Sequence, residues 1–530
     1  MNVTTLRDEP PGTVTIEDVG HGQSAAVIVL EPRPTDDPND PLNWSKPRKT
    51  VNFVIASFYT LATFVLLDIG TVVWVNMNSE LSVSWANLNN SFAANLAGLA
   101  VGCIFFIPFA IKYGRRSVYI VSTAVQFASG IWNARVNSTG ELLAVNVLSG
   151  LAGAVSEAIV QMTIVDLFFV HQRASANAVY NVMVNAGAYL APVAAGYCAS
   201  AQGWRWIWWW TAIMLGINLI LFLFFYEESK YIPTLIAQEG EDTQVLATIA
   251  SKTVKKSDIE GEYMRTDPDS SASYRKKSYR ERMAFITKTD NSLLDNIKRP
   301  LVVLVSFPAV TFTAFVWGCF LSWFSILSTT QSSYLSYPPY NYTSSQIGLF
   351  SLPPFIGGLF GAALGGPIND WYILWRAKRN NGIFEPETRL HLGLPAILAT
   401  PLGILIFGLG LSWGWPWWSL ALGSGIFGFA FSSVGAVALT YLADCYQDIV
   451  GDALVGVAFV RNGLSTIFVF AVTPWIEASG LRDMFIAVAC ISTGTLLILI
   501  PMIMYGKKMR VWTAKRYREM ARLQPGARKI

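Results

Sequence analysis

Residues 51–75 read VNFVIASFYTLATFVLLDIGTVVWV, a run of 25 residues in which Asp68 is the single charged side chain. At about 1.5 Å per residue, a helix of this length can cross about 30 Å of hydrocarbon. Similar apolar runs recur along the chain, and charged residues make up 14% of it, against about a quarter in soluble domains. The sequence therefore predicts a polytopic, all-α membrane protein.

The apolar runs predict twelve membrane spans in two six-helix bundles. The first six cover residues 51–75, 91–111, 117–134, 142–168, 175–199 and 204–226. The second six cover residues 301–327, 346–369, 391–412, 417–441, 453–475 and 482–505. Two parallel halves of this kind define one large transporter fold. The predicted domains are a tail (1–48), the first bundle (49–226), a central loop (227–299), the second bundle (300–506) and a basic tail (507–530).

The basic residues predict the orientation. Loops after odd-numbered spans hold Arg135, Arg205 and Arg482, whereas even-numbered loops and the tails hold many more, including Lys112, Arg376, Lys378, Arg379, Lys507 and Lys508. The positive-inside rule then places both termini and the central loop in the cytosol. Three sequons fall in loops predicted to lie outside and are predicted glycosylation sites: Asn89, Asn137 and Asn341. The plasma membrane is the predicted location, with the vacuolar membrane as the alternative.

The central loop is rich in Lys, Ser, Asp and Glu, which predicts a largely disordered tether. A short amphipathic piece near residues 279–289 either belongs to this solvated tether or lies on the anionic inner leaflet.

Several classes of function are excluded. The five cysteines include no CxxC pair and lie near no cluster of His, so neither a disulfide nor a metal site is predicted. No Walker motif or paired nucleophile and base is found, which excludes an ATP-driven pump and an enzyme. The chain is predicted to need no cofactor and to bind no nucleic acid. Its predicted partners are the bilayer, protons and a small organic substrate, and it is predicted to be a monomer without a cleaved signal peptide.

Five stretches carry a family resemblance: residues 37–45 (DPNDPLNWS), 113–116 (YGRR), 166–171 (DLFFVH), 376–387 (RAKRNNGIFEPE) and 459–463 (FVRNG). Together they resemble the fungal drug:proton antiporter branch of the major facilitator superfamily, and within it the yeast polyamine and organic-cation transporters. The resemblance covers most of the chain and implies secondary active transport by alternating access.

The family's loop between spans two and three usually reads GxLADRxGRR. Here it aligns with residues 107–116, where the final GRR is kept but isoleucines replace the first Gly and the Asp. In the family this loop locks the two halves on the cytosolic side through charge pairs. The resemblance therefore implies gating roles for Arg115, Arg116 and, in the second half, Asp370. Asp166 is the predicted replacement partner of Arg115.

The antiporter signature on span five, GxxxxxxxxGxxxGPxxGG, is kept here at Gly187, Pro192 and Gly196, with Ala at its other three positions. Such a stripe allows close helix approach and a bend, which favours the antiporter interpretation over ordinary small-residue packing. On span four, Asn146 stands where the family has an Arg that is thought to assist proton transfer. Proton coupling must then rest on other groups.

Ionisable side chains inside a span are costly, which makes each a functional candidate. Glu157 lies about 13 Å outward of Asp166 on span four, near the midplane where such transporters bind substrate, and Gln161 is one turn away. Desolvation favours a protonated carboxyl, so Glu157 is predicted to carry a proton or to pair with a cationic substrate, unless neighbouring helices satisfy it. Asp68 is predicted to contact substrate or protons, unless water reaches it at the outer vestibule. Two acids without a buried base favour a cation.

Two further polar groups stand out. Asn177, Asn181 and Asn185 lie on one stripe of span five, where they either line a wet cavity or bond to neighbouring helices. Arg461 is predicted to form a charge network that closes the cytosolic side, with substrate contact as the alternative. The predicted partners are three aspartates in the preceding loop, Asp444, Asp448 and Asp452.

These observations favour a proton-coupled transporter of a small organic molecule, with efflux of a drug or secondary metabolite as the preferred direction. Uptake of a polyamine-like organic cation is the alternative. A hypothesis of another class is a non-transporting nutrient sensor on the same fold.

Overall fold

A computed structural model describes residues 10–15, 37–231, 277–287, 293–380 and 383–522, and these ranges are almost entirely helical. Within them, ten helices are long and apolar enough to cross a membrane. The prediction of a multi-pass helical membrane protein is confirmed. Most of the central loop that was predicted to be disordered, residues 232–276, lies outside the described ranges.

The first eight helices build one hydrophobic core. They are α1 (Lys46–Asp68), α2 (Trp74–Leu81), α3 (Trp85–Tyr113), α4 (Arg115–Ala134), α5 (Thr139–Leu167), α6 (Val170–Asn185), α7 (Ala191–Gln202) and α8 (Arg205–Phe224). A 3₁₀ turn, Ile69–Val73, joins α1 to α2, and a π turn, Ala186–Leu190, joins α6 to α7. Leu99, Ile159 and Leu215 are buried in this core.

Two short helices, α9 (Tyr279–Arg282) and α10 (Leu293–Ser306), lead into the second core. That core is built from α11 (Pro308–Tyr334), α12 (Ser344–Leu349), α13 (Leu352–Ala363), α14 (Asn369–Arg379), α15 (Ala396–Trp413), α16 (Trp417–Cys445), α17 (Val450–Leu497) and α18 (Leu499–Arg522). A π turn, Leu364–Ile368, precedes α14. The remaining elements are three 3₁₀ turns (Pro41–Asn43, Pro386–Gly393 and Gln447–Ile449) and an antiparallel pair of two-residue strands, β1 (Val14–Thr15) with β2 (Ile383–Phe384).

Helix α17 belongs to both cores. Val455 and Val469 are buried in the first core, while Val457 and Val472 are buried in the second. The helix therefore lies along the boundary between the two cores, with one face against each.

Close glycine contacts fix corresponding helix pairs in the two cores. On α3, a Cβ added at Gly98 or Gly102 would come within 2.3 Å of a carbonyl oxygen of α5. On α13, a Cβ added at Gly357 or Gly361 would come 1.9 and 2.1 Å from carbonyl oxygens of α16. Helices can approach this closely only where small residues face each other. The first contact brings α3 and α5 together beside the candidate site.

Three predicted boundaries differ from the structure. Helix α17 crosses the predicted gap between residues 475 and 482 and turns at Gly480, whose φ of 83° lies in the region that glycine tolerates. The final helix continues to Arg522 instead of ending at residue 506, because Thr513 and Ala514 are buried. Helix α10 begins at Leu293, before the predicted start of the second bundle.

The prediction that Asn89 is glycosylated in an external loop is wrong. Asn89 lies inside α3, is 3% exposed, and donates from Nδ2 to the carbonyl oxygen of Val469 at 2.6 Å. Since a glycan would attach to that buried nitrogen, the fold excludes it. Asn137 and Asn341 are exposed outside the helices, and their glycosylation stays a prediction.

Candidate functional site

Glu157 is held by side chains from two other helices. Its carboxylate pairs with the guanidinium of Arg461 on α17. The same carboxylate accepts a 2.8 Å hydrogen bond from Nδ2 of Asn462 and a 3.9 Å contact from Sγ of Cys103 on α3. The Glu157 side chain is 6% exposed and that of Arg461 is 18% exposed. The pair thus lies in the interior and joins α5 of the first core to the boundary helix α17.

This arrangement corrects two expectations. Arg461 pairs with Glu157 and not with Asp444 or Asp448, because in the described structure Asp444 pairs with Arg389 and Asp448 accepts from Oη of Tyr517. The argument that two buried acids lack a base is also wrong, because the base comes from the other end of the chain. A single sequence could not reveal this contact, which spans about 300 positions.

Asp68 lies where α1 tightens into the 3₁₀ turn, and it is half-buried. No hydrogen bond or salt bridge to its carboxylate is found among the described residues. It lines a cleft of about 40 Å³ together with polar and aromatic side chains, which include Thr71, Tyr189, Phe324, Gln331 and Ser424. The Tyr189 and Phe324 rings meet edge to face at 5.7 Å. Asp68 is therefore an acid without a cationic partner that faces a cleft between the cores.

The cleft has room for a few water molecules, since one water needs roughly 10–15 Å³ of such space, but it is too small for an organic substrate. It is closed at the end of the molecule opposite the start of α1 at Lys46, which we call the distal end. There Ser344 Oγ donates to Asn76 Oδ1 at 2.7 Å, and Trp85 Nε1 donates to Tyr337 Oη at 2.8 Å. Both bonds connect the first core to the second.

The small-residue stripe of the predicted antiporter signature lies at this closure. Gly187, in the π turn, packs against Phe64 of α1, where an added Cβ would come within 2.5 Å. On α7, an added Cβ at Gly196 would come 2.5 Å from the carbonyl oxygen of Ser344 on α12. The π turn precedes Pro192, which has no N–H to continue the α-helical ladder. The stripe therefore packs against both cores, through Gly187 on α1 and Gly196 on α12.

The three amides of α6 do not converge on one partner. Asn181 is exposed, while Asn177 and Asn185 are half-buried. Oδ1 of Asn177 is buried without a hydrogen bond among the described residues. Gln161 is half-buried on α5, one turn from Glu157. Their contact with a substrate stays a prediction.

Several large aromatic side chains of the membrane helices are core residues. Tyr59, Trp323 and Tyr441 are fully buried, and Trp74 is 3% exposed. The aromatic rings at the cleft are instead Tyr189, Phe324 and Phe427.

At the end of the molecule opposite the distal end, the Arg115–Asp166 pair expected from the sequence is present, with Nε 3.0 Å from Oδ2. Arg116 forms no charge lock, because its guanidinium donates to the carbonyl oxygens of Leu223, Tyr226 and Met283. It therefore ties α4 to the end of α8 and to the returning central loop. The predicted tether is ordered over this stretch.

Lys230 secures the same junction. Its Nζ donates to the carbonyl oxygens of Lys112 and Thr287, both at 2.9 Å. Burial, with a smaller contribution from nearby Arg115, lowers the pKa of Lys230 to about 8. Glu228 completes the contact by accepting the backbone N–H groups of Arg115 and Arg116 at 3.0 and 3.2 Å.

Asp370 also pairs within its own core. Arg389 contacts both Asp370, at 2.9 Å, and Asp444. A second buried pair joins Arg510 to Glu387 at 2.7 Å. Neither pair crosses between the cores, so a gating role for Asp370 stays a prediction that these contacts do not support directly.

Sequence reasoning missed Asn462, Cys103 and Arg389. Asn462 was within the quoted FVRNG stretch, directly after Arg461, and a polar residue at that place in a span was a usable signal. Cys103 and Arg389 carried none, because their importance depends on contacts between distant helices. The described ranges contain no group of three His, Cys, Asp or Glu side chains that could hold a metal ion.

Comparison with known proteins agrees with this helical architecture. The sequence model described as Major Facilitator Superfamily matches residues 51–469. An uncharacterized MFS-type transporter of Schizosaccharomyces pombe is 33% identical, over 92% of this chain and 89% of its own length. Protein HOL1 of Saccharomyces cerevisiae is 30% identical, over 99% of this chain and 100% of its own length. The MFS antiporter QDR3 of Candida albicans is 25% identical, over 93% and 82% of the two chains.

Proposed function

The chain belongs to the Major Facilitator Superfamily and is a membrane transporter, not an enzyme, and we propose that it moves a small organic molecule by proton-coupled alternating access. The observation that carries this proposal is the Glu157–Arg461 pair, which joins α5 of the first core to the boundary helix α17 at an interior position.

The proposed architecture is twelve spans in two six-helix bundles. Ten candidate spans are counted among the described residues, and one of them, Gln447–Ala521, is 75 residues long. The turn at Gly480 divides it into two spans. Helix α4, with 20 residues, supplies the twelfth because it packs between α5 and α8. The repeated glycine contacts of α3 with α5 and of α13 with α16 support two related halves.

The proposed orientation places both termini and the central loop in the cytosol, as the distribution of basic residues favours. The distal end then faces outside, and the structure represents a conformation closed to the outside. Helix α6 packs on α1 and α5, whereas α7 packs at the distal end on α12 of the other core. The plasma membrane is the proposed location, with the vacuolar membrane as the alternative.

In the proposed mechanism, Glu157 is the proton site and Arg461 is its internal counter-ion. An ionised Glu157 holds Arg461 and keeps α5 against α17. A proton on Glu157 removes one charge of the pair, so the attraction between the two helices weakens. Arg461 can then interact with water or substrate. Because the pair spans the boundary between the cores, its protonation state biases their relative arrangement.

Asp68 is the proposed substrate contact. Its carboxylate faces the cleft beside Tyr189 and Phe324, and an unpaired acid next to aromatic rings attracts organic cations. Efflux of a drug or secondary metabolite is the preferred direction, since the QDR3 relative is described as an antiporter. In addition, every position of the antiporter signature on α6 and α7 holds a small residue or proline. Uptake of a polyamine-like cation is the alternative that Asp68 itself favours.

The test is transport of labelled polyamines, guanidinium compounds and neutral hydrophobic drugs in transporter-deficient yeast under an imposed pH gradient. We expect wild type to move cations with the gradient, and Glu157→Gln to reach the membrane but fail to couple. Glu477→Gln, an exposed acid on α17, is the matched control and should behave as wild type. Unimpaired coupling in Glu157→Gln contradicts the mechanism. No flux of any compound, with normal delivery to the membrane, supports the sensor hypothesis instead.

A further inference from the structure

An open pocket of about 550 Å³ lies beside the start of α1 in the first core, apart from the cleft at Asp68. Its wall includes residues of the DPNDPLNWS stretch, which the transport mechanism does not use. That stretch folds into the 3₁₀ turn Pro41–Asn43, in which Asp40 Oδ1 accepts the N–H of Leu42 at 3.0 Å. The turn presents Asn43 and Trp44 to the pocket.

The pocket carries an excess of positive charge. Three cations line it, Arg48, Lys277 and Arg282. One carboxylate, Glu227, contacts both arginines, and no Asp or Glu is among the described residues that line the pocket. Lys277 is exposed and takes part in no salt bridge among the described residues. Nε of Arg282 is buried without a hydrogen bond in the described structure.

Contacts within the protein hold Arg48 and the loop that carries Arg282 in place. The Arg48 guanidinium stacks 3.8 Å from the Trp44 ring centre, and its Nε donates to Glu227 at 2.9 Å. The backbone N–H of Lys277 donates to Asn39 Oδ1 at 2.9 Å, which fixes the loop that carries Lys277 and Arg282. Planar guanidinium groups fixed in this way suit phosphate oxygens, which accept paired hydrogen bonds.

An exposed aromatic surface lies beside the pocket. Phe224 and Phe225, at the end of α8, are 60% and 57% exposed, and Tyr279 is 55% exposed. Oη of Tyr279 donates to the carbonyl oxygen of Phe224 at 2.8 Å, which joins this surface to the loop that holds Lys277. Tyr is typical of the membrane–water interface, and the exposed Phe rings beside it offer apolar surface to acyl chains.

We propose that this pocket binds a phosphate group, and that the phosphate belongs to the headgroup of an anionic phospholipid whose chains lie along Phe224 and Phe225. The acyl chains extend past the aromatic surface, and Arg48, Lys277 and Arg282 contact the headgroup. Because the pocket joins α1 to the returning central loop, the lipid holds that loop against the first core. That the lipid comes from the inner leaflet rests on the orientation proposed above. The binding of a phosphate group by the pocket does not depend on that orientation.

The test measures thermal unfolding of the purified full-length protein in neutral detergent, with dioctanoyl phosphatidylserine, dioctanoyl phosphatidylcholine or inorganic phosphate added. Native mass spectrometry of the same samples counts the retained lipid. The variants are Lys277→Gln, which breaks no salt bridge of the described structure, and the double variant Lys277→Gln/Arg282→Gln. Lys378→Gln is the control, an exposed lysine of α14 on the other core.

We expect phosphatidylserine to raise the Tm of wild type and Lys378→Gln, and phosphatidylcholine to raise neither. The rise should shrink in Lys277→Gln and vanish in the double variant, together with the retained lipid. An equal rise with phosphatidylcholine, or a full rise in both variants, overturns the proposal. A rise with inorganic phosphate that phosphatidylserine does not exceed overturns the lipid source and identifies a soluble phosphate ligand.

Discussion

Glu157 of α5 and Arg461 of α17 form an interior ion pair between the first core and the helix shared by both cores. Asn462 shares the same carboxylate at 2.8 Å. Interior pairs of this kind contribute little net stability, but breaking one partner leaves an uncompensated charge. The pair is therefore better suited to switch between arrangements than to hold one.

Arg461→Gln is predicted to destabilise the protein more than the double variant Glu157→Gln/Arg461→Gln. The single variant leaves a carboxylate that is 6% exposed without its cation, which typically costs about 3–5 kcal/mol. The double variant removes both charges and should regain most of the lost Tm. Thermal unfolding of the purified proteins in detergent is the measurement. Equal Tm values for the single and double variants would show that the pair is not coupled.

Asp68→Asn is predicted to weaken the binding of cationic substrates but not that of neutral ones. Loss of a charge-assisted contact of about 1.5–3 kcal/mol corresponds to roughly a ten- to hundredfold rise in KM for a cation. The KM of a neutral substrate should not change, because Asp68 has no salt bridge in the described structure whose loss would disturb the fold. Concentration-dependent uptake of one cationic and one neutral compound checks this. A parallel rise for both compounds would point to a structural role.

Gly196→Ala is predicted to hinder closure of the distal end. The added Cβ would lie 2.5 Å from the carbonyl oxygen of Ser344, and such overpacking costs about 1–3 kcal/mol. We expect the transport rate to fall by about tenfold with normal delivery to the membrane. Gly463→Ala on α17 is the control, since an added Cβ there meets nothing within 4 Å. Normal transport by Gly196→Ala would show that the close contact between Gly196 and Ser344 is not needed for transport.

Arg116→Lys is predicted to release the returning loop at residues 277–287. Lysine cannot reproduce the three carbonyl contacts that the planar Arg116 guanidinium makes with Leu223, Tyr226 and Met283. Limited proteolysis should then cut this stretch faster than in wild type. Arg516→Lys, an exposed site on α18, serves as the control. Unchanged cleavage would mean that other contacts hold the loop.

The lowered pKa of Lys230 predicts that the stability of the fold increases with pH. Its pKa is lowered from 10.5 to about 8, so between these values the unfolded chain binds more protons than the folded one. The contribution of Lys230 to stability therefore rises with pH across this window and is lost as the pH falls through about 8. The Tm difference between wild type and Lys230→Met should widen in favour of wild type from pH 7.5 to 9.5. A narrowing difference would contradict the lowered pKa.

The helical fold was predictable because apolar length is a local property. Residues 51–75 indicate a membrane helix without any knowledge of their neighbours, and the Arg115–Asp166 pair connects the ends of neighbouring spans. The motif resemblance led to the family that the comparisons confirm.

The partners within the site were not predictable, because they come from distant parts of the chain. Arg461 was assigned to nearby aspartates, since nothing in one sequence shows that α17 packs beside α5. Hydropathy indicated that the second span begins at residue 91, which left Asn89 in a loop. In the structure α3 begins six residues earlier, at Trp85, and includes Asn89. Polar residues at the ends of spans are compatible with either a loop or a buried helix end, and packing decides between them.

The central claim is that Glu157 couples proton movement to transport across the boundary between the cores. The most direct test compares two activities of Glu157→Gln in proteoliposomes: substrate accumulation driven by an imposed pH gradient, and substrate counterflow without a gradient. We predict that accumulation is abolished while counterflow continues, because the altered site still changes conformation but no longer responds to protons. Gradient-driven accumulation at the wild-type level would contradict the claim.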